Sequence, residues 1–374
     1  MTDTWIIGPK WQNNVISASH GTLPAGDNSS VGTDLSAWLG LRDLIKKSTD
    51  GGSFSTFNIA STFSSPGSGF SGGVLDTKGN VCLIPASSSF FTYFNMYSLV
   101  STSAVLVYAT SNAYAGGVLA PNGDIHFVPN NAIVGQKFVG GFSLSTYSLV
   151  YTTTSAYTGG VISPSGEIHF VPNSAAVGQK ISTTGTVSTY SLIYTAANAY
   201  AGGVLAPNGD IHFVPNSAAV GQKISASGTV STYSLLYTTT NAYQGGVIAP
   251  NGDIHFVPFG ANRGQKIDIN GVVSTYSLVY TTASGYSGGV LSPSGDIHFV
   301  PFSADRGQKI NINGTVSTYT LAFTTTSAYS GGVLAANGSI YFVPNSTTRI
   351  QRIDTMSAVP FPPGLCQSAW LNKY

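Results

Sequence analysis

The sequence predicts an all-β fold, a seven-bladed β-propeller with four strands in each blade. The triplet Gly-Gly-Val occurs seven times, first at an interval of 44 residues and then at intervals of 43. Periods of about 40–50 residues made of short strands are typical of propeller blades. The seven copies begin at Gly72, Gly116, Gly159, Gly202, Gly245, Gly288 and Gly331.

One copy shows why each unit should contain four strands. Its first two apolar runs are separated by Pro164-Ser165-Gly166, where sister copies have Pro-Asn-Gly. An Asn-Gly pair between apolar runs predicts a tight hairpin whose two central residues both have positive φ. A further turn is expected at Gly185, and the last run alternates and is rich in β-forming residues. The four runs of this copy are 159–163, 167–171, 179–181 and 188–194.

The two ends of the repeat region predict a closed ring. The seventh copy has only three strands and ends near Ile353, whereas the segment 54–60, before the first copy, resembles a fourth strand. We therefore expect this N-terminal strand to complete the last blade. Closure would remove the exposed sheet edges that an open array leaves.

Three regions follow from this reading. Residues 1–52 form an N-terminal flank with one amphipathic helix over 34–47, residues 53–354 form the propeller, and residues 355–374 form a C-terminal tail. We expect the helix and tail to lie outside the ring and to pack on it or on other protein subunits of an assembly. All four tryptophans lie in these flanks: Trp5, Trp11, Trp38 and Trp370.

Composition and charge exclude several classes of protein. Charged residues are only 8% of the chain and the net charge is +1, which does not predict a nucleic-acid partner. Two cysteines exclude a disulfide framework. We find neither a signal peptide nor an apolar run long enough to span a membrane. The expectation is a protein without a cofactor, on a virion or an extracellular surface, or otherwise in the cytoplasm.

The repeat unit at 116–129 is Gly-Gly-Val-Leu-Ala-Pro-Asn-Gly-Asp-Ile-His-Phe-Val-Pro. It resembles propeller repeats of the pattern GGVLxPxGxIxxxP, which are distantly kelch-like and occur in largely uncharacterised proteins, including viral ones. The resemblance covers about 54–353. It implies the architecture and no particular activity.

An acid and a histidine two residues apart recur in the five central copies. Residues i and i+2 of a strand share a face, so each pair points the same way. We interpret the pairs as structural contacts between blades; the alternative is one metal or ligand site per blade. Copies on neighbouring second strands should be on the order of 10 Å apart, too far to share one zinc ion. No metal site is therefore predicted. The pairs are Asp124 and His126, Glu167 and His169, Asp210 and His212, Asp253 and His255, and Asp296 and His298.

Two further series are candidates for ligand binding. Lysines at one level of the ring could attract anionic glycans, although they could also pair with the acids above. Tyrosines before each Gly-Gly could stack on sugars, although they could also be core residues. The lysines are Lys137, Lys180, Lys223, Lys266 and Lys309. The tyrosines are Tyr114, Tyr157, Tyr200, Tyr243, Tyr286 and Tyr329.

The near-identity of the central copies and the absence of catalytic motifs favour a protein that is not an enzyme. The main prediction is a structural or attachment protein of a viral particle or similar assembly, which displays the propeller for receptor or protein–protein interaction. The alternative is a multivalent carbohydrate-binding lectin, in which linked weak sites would multiply avidity. A third reading is a propeller lyase or hydrolase.

Overall fold

The computed structural model describes residues 11–12, 15–16, 53–58, 69–95, 98, 101–139 and 143–355. Every regular element among them is a β-strand. The helix predicted over 34–47 and the C-terminal tail lie outside the described residues. The chain divides into two compact units, residues 1–46 and 47–374. The first contributes β1 (Trp11–Gln12) and β2 (Val15–Ile16), which pair with each other.

The second unit begins with β3 (Ser53–Asn58) and continues with six complete blades. Blade 1 consists of β4 (Phe70–Leu75), β5 (Val81–Pro85), β6 (Phe90–Phe94) and β7 (Ser101–Val105). Blade 2 consists of β8 (Tyr114–Leu119), β9 (Ile125–Pro129), β10 (Val134–Val139) and β11 (Ser143–Ser148). Blade 3 consists of β12 (Tyr157–Ile162), β13 (Ile168–Pro172), β14 (Val177–Ile181) and β15 (Val187–Ser191).

The remaining blades repeat this order. Blade 4 consists of β16 (Tyr200–Leu205), β17 (Ile211–Pro215), β18 (Val220–Ile224) and β19 (Val230–Ser234). Blade 5 consists of β20 (Tyr243–Ile248), β21 (Ile254–Pro258), β22 (Arg263–Ile267) and β23 (Val273–Ser277). Blade 6 consists of β24 (Tyr286–Leu291), β25 (Ile297–Pro301), β26 (Arg306–Ile310) and β27 (Val316–Thr320). Blade 7 consists of β28 (Tyr329–Leu334), β29 (Ser339–Pro344), β30 (Arg349–Asp354) and β3.

The seven-bladed ring and its closure are confirmed. Strand β3 pairs antiparallel with β30 from Ser53 opposite Asp354 to Asn58 opposite Arg349. Every blade is therefore an antiparallel meander of four strands, and the seventh takes its outer strand from before the first copy. Pairing β3 into blade 7 leaves no incomplete sheet between the first blade and the last.

A meander of this kind gives the ring two distinct faces. The turns between strands 1 and 2 and between strands 3 and 4 lie on one face, which we call the hairpin face. The connections between strands 2 and 3 and from strand 4 to the next blade lie on the other, which we call the connection face. All candidate side chains below belong to one of these faces or to the packed layer between them.

The hairpin turn differs from the prediction of two central residues at positive φ. In blade 2, Gly123 has φ +87, whereas Asn122 is not among the residues at positive φ. The backbone amide of Gly123 donates to Ala120, and that of Ala120 donates to Asp124. This is a type I turn closed by a glycine bulge, and proline suits its first central position because the ring fixes φ near −65°.

The fourth strand is shorter than the sequence suggested. In blade 3 it ends at Ser191, not at Tyr194. The backbone amides of Ile193 and Tyr194 instead donate to the side-chain oxygen of Gln222 in blade 4, at 3.0 and 2.8 Å. A buried side chain of the next blade thus ends the strand and joins neighbouring blades.

Glycine pairs allow the inner strands to meet around the axis. They line a central cavity of about 210 Å³. Gly202 has φ +96, and a Cβ there would lie 3.0 Å from the Cα of Gly245 in the next blade. Only glycine fits this approach, because any side chain would meet backbone and would favour another φ. The recurrent Gly-Gly-Val is therefore a packing requirement of the axis.

Candidate active site

The repeated acids and lysines pair with each other near the hairpin face. In blades 2–6 each lysine on the third strand reaches the acid that precedes the second strand of the same blade, with N–O distances of 2.6 to 2.8 Å. The lysine side chains are about one-third exposed. Their charge is matched by a carboxylate, and an additional role in holding an anionic ligand stays a prediction.

The repeated histidines are buried beside these ion pairs. Burial lowers the pKa of each imidazole to about 4, and in His126 the nearby Lys137 adds to this shift while Asp124 opposes it. In four blades Nδ1 lies 3.3 Å from a tyrosine hydroxyl on the fourth strand of the same blade. Those pairs are His126 and Tyr147, His212 and Tyr233, His255 and Tyr276, and His298 and Tyr319.

These contacts correct the predicted geometry of the histidine series. Contacts between blades were expected for His126, His169, His212, His255 and His298 with their acids, but the hydrogen bonds and ion pairs run within one blade. The reason is register: His126 lies opposite Lys137 across the sheet, so the acid, histidine and lysine occupy one corner of one blade. Among the described residues, no group of three His, Cys, Asp or Glu side chains could hold a metal ion.

The tyrosines before Gly-Gly are core residues. All six are at most 1% exposed. Tyr157 donates its hydroxyl to the carbonyl of Val177 at 3.1 Å, and its ring packs on Phe170 with centroids 5.7 Å apart. The described structure therefore gives a sugar no access to these rings, and it places the predicted binding residues in the packed layer: Tyr114, Tyr157, Tyr200, Tyr243, Tyr286 and Tyr329.

The glutamine beside each lysine has a role that sequence reasoning missed. Gln308 is fully buried, and its side-chain oxygen accepts the backbone amides of Val279 and Tyr280 at 3.1 and 2.8 Å. The same side chain in other copies fixes the connection that arrives from the preceding blade. The recurrence of glutamine next to lysine was the available signal, because a neutral polar residue kept at one position of blades 2–7 indicates a structural hydrogen bond.

The repeat is broken on the connection face, between strands 2 and 3 of blades 5 and 6. Four sister copies have asparagine after the strand-2 proline, whereas these two have Phe259 and Phe302. Asn173 and Asn216 donate side-chain hydrogen bonds of 3.0 Å to a carbonyl of the next blade, which phenylalanine cannot do. Instead the two half-buried rings pack on each other, with centroids 5.5 Å apart.

A charged cluster accompanies this aromatic pair and occurs once among the described residues. Arg306 Nε lies 3.0 Å from Asp305 Oδ1, and its guanidinium lies 4.6 Å from the centroid of the Tyr280 ring. Arg306 and, to a smaller degree, the nearby Tyr280 hydroxyl hold the pKa of the Asp305 carboxyl below its usual range. We call Tyr280, Asp305 and Arg306 the connection-face cluster.

The equivalent position in other blades shows what is new in blade 6. In blades 3 and 4 the equivalents of Asp305 are Ala176 and Ala219, whose backbone amides donate to Tyr151 and Tyr194 at 3.3 and 3.2 Å. The tyrosine is thus a repeated structural residue that acquires a carboxylate and a guanidinium neighbour in blade 6. Both charged side chains are open to solvent, at 61% and 48% exposure. This cluster combines a proton acceptor, a hydroxyl donor and a fixed cation.

The comparisons with known proteins identify the fold. No protein-family model and no curated protein sequence matches the chain. A streptogramin B lyase is 21% identical with a TM-score of 0.71, over 81% of this chain and 97% of that one. Virginiamycin B lyase from Staphylococcus aureus, as a catalytically inactive histidine-to-alanine variant with quinupristin, is 16% identical with a TM-score of 0.71, over 80% and 98%. A fungal alcohol oxidase in complex with copper is 12% identical with a TM-score of 0.61, over 81% and 76%.

At these identities the likeness establishes the seven-bladed propeller and leaves the activity open. It nevertheless corrects the functional prediction, because the streptogramin B and virginiamycin B lyases, which match about four-fifths of the chain, are enzymes. The predictions of a non-enzymatic structural or attachment protein of a viral particle, and of a chain that is not an enzyme, are contradicted. The kelch-like character of the repeats stays a prediction. No described helix is long and apolar enough to cross a membrane.

Proposed function

We propose that the chain is a propeller lyase and that the connection-face cluster is its reactive site. The observation that carries the proposal is the single occurrence of Tyr280, Asp305 and Arg306 together in an otherwise repeated ring. A single reactive site in a ring of similar blades requires residues that occur together in one place only. Two solved proteins with a similar propeller are lyases, which supports this chemistry over a purely structural role.

The three side chains match the needs of an elimination. A lyase removes a proton from carbon, forms a carbon–carbon double bond and expels a leaving group. We assign the proton to the Asp305 carboxylate, which is held ionised by its neighbours. Arg306 stabilises the negative charge that develops on the substrate, and the Tyr280 hydroxyl donates a proton to the departing oxygen. The Asp305 proton then returns to water, and Tyr280 is reprotonated from water.

The same site distinguishes a lyase from a hydrolase. Elimination breaks the bond to the leaving group without adding water, whereas hydrolysis adds one water molecule to the products. A mass measurement therefore decides between the two chemistries.

The test is turnover of quinupristin and virginiamycin B by the full chain, followed by mass spectrometry. We expect products whose total mass equals that of the substrate. The variants Asp305→Asn and Tyr280→Phe should lower kcat by about 100-fold or more, which is the usual contribution of a positioned acid or base. The matched control is Tyr194→Phe, which removes the same hydroxyl where its partner is the backbone of Ala219.

Two outcomes would contradict the proposal. One is the absence of turnover of both compounds by folded wild-type chain. The other is an equal loss in Tyr280→Phe and Tyr194→Phe, because that would make the hydroxyl structural in both blades. Products that are heavier by one water would replace the lyase assignment with a hydrolase.

A further inference from the structure

We propose that the connection face of blades 5–7 binds an acidic polysaccharide through a row of three arginines. Arg263, Arg306 and Arg349 occupy the first position of β22, β26 and β30, the same place in three consecutive blades. All three are exposed. Three consecutive blades are therefore basic at this level, and the other four have an apolar residue there: Phe90, Val134, Val177 and Val220.

Each arginine is held by an aromatic ring of the connection that arrives from the preceding blade. The guanidinium carbons of Arg263 and Arg349 lie 5.5 Å from the Tyr237 centroid and 5.0 Å from the Phe323 centroid. Arg306 lies over Tyr280 in the same way. Contacts of this kind orient a guanidinium while it keeps its charge. The row is therefore a partly ordered set of cations on a rigid scaffold.

The charge of this surface is not neutralised by its surroundings. On the described part of the connection face, three arginines stand against one carboxylate, that of Asp305, which leaves two positive charges. Arg263 and Arg349 have no carboxylate partner within ion-pair distance among the described residues. The hairpin face differs, because each of its repeated lysines pairs with an acid. Charge complementarity calls for a ligand that carries several anionic groups.

The spacing and the chemistry narrow the class of ligand. Third strands lie two strand spacings outside the inner strands, so equivalent residues of adjacent blades are on the order of 15 Å apart. A small anion cannot reach two arginines, but a chain can. Single-stranded nucleic acid binds through base stacking on open aromatic faces, and here Tyr237, Tyr280 and Phe323 each have a guanidinium group over the ring. Exposed hydroxyls at Thr238–Thr240 and Thr324–Thr326 offer hydrogen bonds of the kind that sugars use.

This inference does not need the lyase activity. Only Arg306 belongs to both sites, whereas Arg263 and Arg349 lie one blade away on either side. Binding can therefore be measured without turnover, and the proposed lyase can fail while the surface still binds. It also differs from the sugar surface predicted on the buried tyrosines, because every charged member of the row is exposed.

The test is calorimetric binding of polygalacturonate to the full chain, with uncharged dextran and a poly-dT oligonucleotide as comparisons. We expect polygalacturonate to bind, dextran to be inert, and affinity to fall with salt. Arg263→Gln and Arg349→Gln should each weaken binding about 3-fold, and the double variant about 10-fold. Val220→Arg should tighten it about 3-fold, since it places a fourth guanidinium beside Tyr194. Lys78→Gln, which removes one positive charge from the hairpin face, is the charge-matched control and should change nothing.

Three results would overturn the proposal. Failure of the wild-type chain to bind polygalacturonate would exclude an acidic polysaccharide as the ligand. An effect of Lys78→Gln equal to that of Arg263→Gln shows that net charge, not this row, is responsible. Tighter binding of poly-dT, lost in the double arginine variant, assigns the surface to nucleic acid instead.

Discussion

The hairpin face and the connection face are made by the same seven repeats, yet they differ in how strictly the repeat is kept. On the hairpin face, five blades place an acid, a histidine and a lysine in the same corner, with ion pairs of 2.6 to 2.8 Å. On the connection face, the residue equivalent to Asp305 is alanine in two blades and isoleucine, asparagine or threonine in others. The repeated residues of this ring therefore stabilise the fold, whereas the residues that break the repeat are candidate functional residues.

The largest effect that would test this comparison is acid destabilisation through the repeated histidines. Their pKa values are about 4 in the fold, against 6.5 for a free imidazole. Between these values the unfolded chain binds more protons, so the stability present above pH 6.5 is lost as the pH falls. Each histidine should cost about 2 kcal/mol by about pH 5, and five together approach the whole stability of a typical domain.

The measurement is the urea midpoint of unfolding at about pH 8 and about pH 5. The variant His126→Gln should show a smaller drop between the two conditions than the wild type, because one of the five groups no longer titrates. Asp305, exposed and already ionised, should contribute little, so Asp305→Asn should follow the wild-type curve. A midpoint that stays constant down to about pH 5 would show that the imidazoles accept protons in the fold.

The next effect separates stability from activity at one repeated residue. Gln308→Ala and Gln222→Ala each leave two partly buried backbone amides without their acceptor. We expect both variants to lose about 2–4 kcal/mol of unfolding free energy. Only Gln308→Ala should also lower lyase activity, because Gln308 positions the backbone of Tyr280. Gln308 is thus a positioning residue.

The urea midpoint and kcat are measured on both variants at a temperature at which each remains folded. The exposed Asn262→Ala on the same face is the stability control, with an expected change within about 0.5 kcal/mol. Equal activity in the two glutamine variants would contradict the positioning role of Gln308, even if both variants lose stability.

The fold was readable from the sequence because blade geometry requires the same residues at the same interval. The Gly-Gly-Val period predicted seven blades, and the resemblance of residues 54–60 to a fourth strand predicted the pairing of β3 with β30. The burial of the repeated tyrosines could not be decided, because alternation in a strand does not say which side faces the neighbouring blade. The predicted end of the fourth strand was wrong since Gln222, 29 residues further along, takes the amide of Ile193.

The candidate site does not follow from the repeated residues, because its members are the ones that differ between copies. Phe302, Asp305 and Arg306 are visible in the sequence as departures from other copies. Blades 3 and 4 have Asn, Ala and Val, respectively, at these positions. The contact of Arg306 with Tyr280 joins two blades, and no pattern within one repeat contains it. The differences between the aligned copies are the sequence signal that indicates this site.

The smallest predicted effect concerns one departure on the hairpin face itself. Blade 3 has Glu167 where other central blades have aspartate; it bonds Lys180 at 2.8 and 3.0 Å and lies 3.9 Å from His169 Nε2. Here His169 Nδ1 and the Tyr190 hydroxyl are buried without hydrogen-bond partners among the described residues, although their rings pack with centroids 5.6 Å apart. We expect the length of this acid to decide whether the histidine and the tyrosine form a hydrogen bond.

Matched tyrosine variants test this reading. Tyr233→Phe breaks the 3.3 Å contact with His212 and should cost about 1 kcal/mol. Tyr190→Phe removes a hydroxyl that bonds to nothing described, so it should be neutral or slightly stabilising, as measured by urea unfolding at neutral pH. In the Glu167→Asp background, which restores the acid of the other blades, Tyr190→Phe should become as costly as Tyr233→Phe. If Tyr190→Phe is equally costly with either acid, the length of the side chain at 167 does not decide whether His169 bonds to Tyr190. Blades 3 and 4 would then have the same histidine–tyrosine contact.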